Sequence, residues 1–81
     1  MKTKHIHSQK IICQLSELET AANNHDKMAE LHEKAGNERL GRLARLDAYA
    51  RRLAHDYLNN APGQGLKAAL GYADRRTSSN V

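Results

Sequence analysis

The sequence predicts an all-α protein, a small bundle of three to four helices with a long basic amphipathic third helix and flexible termini. Two observations support this prediction. Apolar residues recur at intervals of three and four, the spacing of one helix face, and no segment alternates apolar and polar residues as a half-buried strand does. β-branched residues, which favour strands, are also scarce along the chain.

The length of the chain limits its core. Its 81 residues are enough for one small domain, and a domain of this size buries only ~60% of its unfolded surface. Phe and Trp are absent, Tyr occurs three times and Cys13 is the single cysteine, so large core residues are few and no disulfide within the chain can stabilise the fold. We therefore expect a homodimer, and we expect Cys13, beside Ile11 and Ile12, to be a small core residue.

A single cysteine is also typical of a protein kept in a reducing compartment. No apolar run approaches the roughly 20 residues that a membrane span needs, and residues 1–10 are too polar for a signal peptide. The predicted location is cytoplasmic, without a membrane partner.

The expected domain organisation is simple. Residues 1–7 form a flexible basic arm, residues 8–76 form a single helical domain, and residues 77–81, which are mostly small and polar, form a flexible tail.

The first half of the helical domain carries two apolar stripes. From about Ser8, one stripe steps by four, three and four, through Ile11, Leu15, Leu18 and Ala22. The second stripe lies nearly opposite the first on a straight helix, and it consists of Met28, Leu31 and Ala35. We predict a break at Asn23–Asn24, since asparagine can cap a following helix. A single helix packed on two sides is the alternative.

The third helix is expected at about residues 38 to 60. Gly36 and Asn37 suit the end of one helix and the start of the next, and Pro62 with Gly63 ends the third helix. A short fourth helix follows, with Leu66, Ala69, Leu70 and Ala73 on one side. Helices this short cannot bury a long leucine stripe well, so we expect self-association through Leu40, Leu43, Leu46 and Leu53.

Charge is unevenly distributed around the net value of +4. Residues 11–38 hold six acidic and two basic side chains, whereas residues 39–76 hold eight basic and three acidic ones. A chain with one acidic and one basic half can offer one surface to a protein and another to an anion.

The basic half includes a row of side chains on the third helix, opposite its leucines: Arg42, Arg45, Tyr49 and Arg52. Guanidinium groups bind phosphate oxygens in pairs, and a tyrosine among them can stack on a base. With Lys67, Arg75 and Arg76, this row predicts a non-enzymatic nucleic-acid-binding regulator or accessory factor that acts as a dimer on the DNA or RNA backbone. A solvated helix face is the alternative interpretation of the row.

The alternative function is a helical adaptor or inhibitor that docks on a larger protein partner. The leucine stripe and the acidic residues 11–38 favour it, and in style such a chain resembles phage or plasmid accessory proteins. We expect no enzymatic activity and no cofactor, because the chain has no phosphate-binding glycine loop with its lysine. We expect no metal site either, since zinc needs three or four converging ligands.

Overall fold

The computed structural model of the protein describes residues 7–78. It contains three α-helices, α1 (Gln9–Lys34), α2 (Glu38–Asn60) and α3 (Gly65–Ser78), with a short 3₁₀ turn at Pro62–Gln64 before α3. No strand occurs within 7–78, which confirms the all-α prediction. The helix that the sequence predicted as the third is therefore α2.

Helix α1 is continuous, so the predicted break at Asn23–Asn24 is wrong. The alternative, a single helix packed on two sides, is correct about the single helix but not about the second packed side. Ser8 caps its start, where the side-chain hydroxyl accepts a hydrogen bond from the amide of Ile11 at 3.2 Å. The first apolar stripe continues past Ala22 to Ala29, and both alanines are fully buried. The second stripe stays largely exposed, with Met28 at 48% and Leu31 at 61% exposure. One packed side is sufficient for a straight helix.

The turn between α1 and α2 is tight because Gly36 adopts a positive φ of 83°. The amide of Gly36 donates to the carbonyl of Glu33, and the amide of Asn37 donates to the carbonyl of His32. This pair of hydrogen bonds is the Schellman motif that commonly ends a helix. It returns α2 antiparallel along α1.

Small side chains fill the contact between α1 and α2. We call this contact the alanine seam; its buried residues are Ala22, Ala29, Gly41, Ala44 and Ala48. Short side chains let two helix backbones approach closely. A Cβ built on Gly41 would lie 2.9 Å from Cγ of Glu33 but 3.5 Å, an ordinary contact distance, from the carbonyl oxygen of Ala29, so a side chain here would displace that of Glu33 rather than the backbone of α1.

Helix α3 packs on another side of α2 and touches α1 only slightly. A core cluster forms there from Leu18, Ala54, Leu58, Ala69 and Ala73, with half-buried Leu53 and Tyr57 against it. Leu58 is the largest side chain with no exposure. Helix α2 is therefore the central helix, with a partner on each of two sides.

The ends of the described chain differ from the predicted arm and tail. Thr77 is buried within α3, and its hydroxyl donates to the carbonyl of Ala73 at 2.9 Å, so a tail that starts at residue 77 is placed too early. His7 donates from Nε2 to Oδ1 of Asn59 at 2.9 Å, which ties this residue of the predicted arm to α2. The rest of the predicted arm and tail, residues 1–6 and 79–81, lies outside the described residues.

Candidate functional site

Two arginines of the predicted phosphate-binding row bind carboxylates of α1 instead. Arg45 forms a two-point contact with Glu33, from Nε to Oε2 at 2.8 Å and from the second guanidinium nitrogen to Oε1 at 2.9 Å. Arg52 donates to Oδ2 of Asp26 at 2.7 Å and to Oδ1 of Asn23 at 3.1 Å. Arg45 also lies 3.7 Å from Asp26, which links the two pairs into one network along the edge of the alanine seam.

This network alters the electrostatics of its members. The hydrogen bond from Arg45, helped by the charge of the same guanidinium, lowers the pKa of Glu33 below its ordinary value, while desolvation opposes the change. The same contact raises the pKa of Arg45. Glu33 therefore stays ionised in mildly acidic solution, and its negative charge remains beside the arginine that was predicted to meet phosphate.

The predicted row is thus divided. Arg42 is exposed and has no hydrogen bond or ion pair with any residue of the described chain, and Tyr49 is exposed between the two paired arginines. The carboxylates of Asp26 and Glu33 offset two of the three positive charges in the row. A phosphate approaching Arg45 or Arg52 would have to compete with a carboxylate already in place.

The other predicted phosphate contacts lie on α3 and belong to different surroundings. Lys67 and Arg75 are exposed. Arg76 donates to the hydroxyl of Tyr72 at 3.3 Å and its guanidinium carbon lies 5.8 Å from the centre of that ring. Tyr72 in turn stacks on Tyr57 at 4.9 Å between ring centres. Within residues 7–78, no hydrogen bond or ion pair joins Lys67, Arg75 or Arg76 to the row on α2.

The sequence interpretation missed Asn23, Asp26 and Glu33 as partners of the arginines. A signal for two of them existed. Asp26 and Glu33 are seven residues apart on α1, and Arg45 and Arg52 are seven apart on α2. On antiparallel helices, equal spacing of acids and bases places two ion pairs at once, and the short turn at Gly36 brings these four into register.

The leucines predicted to self-associate fall into two pairs. Leu53 is half-buried against the core cluster, and Leu46 lines the contact between α2 and α3. Leu40 and Leu43, by contrast, lie near the turn and are 46% and 49% exposed. We call Leu40 and Leu43 the tip leucines. They are large apolar side chains on a regular helix, and the described chain covers only about half of each.

Next to the tip leucines, α2 and α3 enclose an open groove of about 350 Å³. Its apolar lining includes Leu46 and Ala50 on α2 and the exposed Leu70 on α3. Two carboxylates, Asp47 and Asp74, lie at the groove, together with one guanidinium. We call this the α2–α3 groove, and no sequence pattern pointed to it because its residues come from two helices.

Residues 7–78 contain no cluster of three His, Cys, Asp or Glu side chains that could hold a metal ion. His25 donates from Nδ1 to the carbonyl of Ala21 at 2.8 Å, and its Nε2 lies 3.9 Å from Oδ2 of Asp47. Both ring nitrogens therefore lie near a polar atom of the protein. Cys13, expected in the core, is exposed, because it lies beside rather than on the stripe that packs. None of the described helices combines the length and apolarity needed to cross a membrane.

In comparisons with known proteins, no protein-family model, no curated protein and no solved structure matches the chain.

Proposed function

We propose that the protein is a non-enzymatic helical binding protein of the adaptor or inhibitor type, which docks on another protein through the tip leucines. The exposure of Leu40 and Leu43 carries the proposal. Both lie on α2, the central helix of the fold, so they are presented on a firm support rather than on a mobile loop.

The composition of the core makes this exposure informative. The fully buried positions are almost all alanines, with Leu58 the one large residue among them. Small side chains thus occupy most of the interior, while several large apolar side chains are exposed. The exposed ones are Ile12, Met28, Leu31, Leu40, Leu43, Tyr49 and Leu70. Single exposed apolar residues are ordinary on protein surfaces, but adjacent ones on one helix are typical of interaction sites.

Site-specific photo-crosslinking tests the proposal. A benzophenone amino acid placed at position 43, in cells that naturally express the chain, should form a covalent adduct with one defined protein. The same probe at the exposed position 56 of α2, about 20 Å along the helix, serves as the matched control. Excess wild-type chain should suppress the adduct, and an L40S/L43S variant should not. Equal labelling from positions 43 and 56 would contradict the proposal.

A nucleic-acid-binding regulator is the second candidate. It is favoured by the net charge of +4 and by Arg42, which is exposed and has no hydrogen-bond or ion-pair partner among the described residues. A polarisation titration of labelled duplex and single-stranded RNA at two salt concentrations tests it. Arg42→Ala should lower the slope of log affinity against log salt by roughly 0.7–0.9 if Arg42 contacts a phosphate. Lys27→Ala, which removes an exposed positive charge from α1, is the charge-matched control. No affinity at about 50 mM salt would exclude this candidate.

A further inference from the structure

We infer that the tip leucines of one chain dock against the α2–α3 groove of a second copy, in a reciprocal dimer with its two-fold axis at Leu43. This inference rests on the proposed protein-docking function, because it names the protein that the tip leucines contact. It also says how the two copies are oriented, which the leucine spacing alone does not.

The first argument is the continuity of the two surfaces along α2. Leu40 and Leu43 are followed one turn later by Leu46, which lines the groove. If two α2 helices run antiparallel past each other with Leu43 at the axis, Leu43 meets its own copy. Leu40 of each chain then lies at the level of Leu46 of the second copy, beside the exposed Leu70. An interface in which each chain contributes the same surface twice is the ordinary arrangement of a two-fold dimer.

The second argument is charge. Arg39 and Arg42 flank the tip leucines, while Asp47 and Asp74 lie at the groove. In the same antiparallel alignment, Arg39 of one chain is level with Asp47 of the second copy. The side chain of Asp47 is 57% exposed, and its one ion pair with a described residue is a long one, to His25 at 3.9 Å. Positive side chains around an apolar tip thus face a groove whose charged lining residues, Asp47, Asp74 and Arg51, together carry one net negative charge.

The third argument is the need for cover. A small domain with an interior of alanines has little apolar area to bury on its own. Docking each tip into the groove of the other copy removes Leu40, Leu43, Leu46 and Leu70 from water in both chains. In the dimer, each chain therefore covers the apolar area that α3 leaves exposed on the other chain.

Disulfide trapping tests the axis. In a Cys13→Ser background, Leu43→Cys should oxidise to a covalent dimer, because the two thiols meet at the axis. Tyr49→Cys, at a similarly exposed position on α2, should form no covalent dimer under the same conditions, because position 49 lies away from the axis. Equal crosslinking of both variants, or of neither, would overturn the inference.

Sedimentation of the unmodified chain and of charge variants tests the orientation. Leu43→Asp places like charges face to face and should raise the dimer dissociation constant about a hundredfold or more, with helicity by circular dichroism unchanged. Arg39→Asp and Asp47→Arg should each weaken the dimer about fivefold, and the combined variant should restore it. These positions are eight residues apart on one helix, about 12 Å, so their side chains cannot restore each other within a chain.

Three results would contradict the reciprocal dimer. A wild-type chain that sediments only as a 9.1 kDa species at concentrations of about 100 μM would exclude it, while a crosslink from position 43 to a larger protein would leave the docking function standing. A combined charge variant weaker than both single variants would overturn the antiparallel alignment. A Leu43→Asp chain that still dimerises would place the interface elsewhere.

Discussion

The two packed sides of α2 are built on different principles. Toward α1, the helix presents glycine and alanine, and arginines at the edge of the contact bind carboxylates across it. Toward α3, it presents leucine and tyrosine, which pack on the core cluster and then continue uncovered to the tip. The difference teaches that a side rich in large apolar residues is not necessarily the more completely buried one.

The side chains of the alanine seam are buried because the two helices lie close together, not because the side chains are large. Ala29 and Ala48 have no exposed surface, although each contributes one methyl group. The leucine side has more apolar area and less cover, since α3 has only 14 residues against the 23 of α2. One side therefore depends on close fit, and the other leaves apolar area available for a partner.

Enlarging a residue of the alanine seam should lower the free energy of unfolding more than removing an ion pair at the edge of the seam. Ala48→Leu adds three carbons where the two backbones are close, so we expect a loss of about 1–3 kcal/mol or more in the free energy of unfolding. Tyr49→Leu, at the next and exposed position, should change it by less than about 0.5 kcal/mol. Urea denaturation of both variants at low protein concentration measures the two values. Equal losses would show that the seam tolerates larger side chains.

Removing the charge of Glu33 should lower the free energy of unfolding by a smaller amount, and this loss should depend on pH. The pKa of Glu33 is lowered in the folded chain, so its contribution to stability is complete above about pH 4.3, the ordinary glutamate value. This contribution is lost as the pH falls through the lower folded value. Glu33→Gln should therefore reduce the urea midpoint at neutral pH and flatten its decline in acid.

Glu17 provides the control for that measurement. It also lies on α1, is exposed and forms no hydrogen bond or ion pair with any described residue. Glu17→Gln should keep the acid-dependent decline of the wild-type chain. A Glu33→Gln chain with the full wild-type decline would show that the contact with Arg45 contributes nothing in solution.

Local signals in the sequence were sufficient for the elements of the fold. The predicted span of residues 38 to 60 matches α2, Gly36 forms the expected turn, and Pro62 follows the end of the helix. These features depend on residues close in the chain, such as a glycine that can adopt positive φ or a proline that lacks an amide hydrogen. Predicting these features requires no knowledge of the tertiary contacts.

The packing partners were harder to predict because alanine is a weak signal. Ala29 extends the first stripe of α1 by two turns, but Met28 and Leu31 are more hydrophobic and favoured a second face that is in fact exposed. Likewise, the side of α2 opposite its leucines was taken as free, although α1 covers part of it. Arg45 and Arg52 do meet α1 along one side of α2, but their carboxylate partners come from another helix, which the sequence pattern of α2 alone could not show.

The order of contacts along the chain has a consequence for how the molecule folds. Each helix packs mainly on its neighbour in sequence, since α1 and α3 touch only slightly and the connections are short. Mean sequence separation between contacting residues is the main determinant of folding rate in small proteins, and low values accompany folding in microseconds to milliseconds. The α1–α2 hairpin can form before α3 is present, so during synthesis the chain can acquire its central contact while its last helix is still emerging from the ribosome.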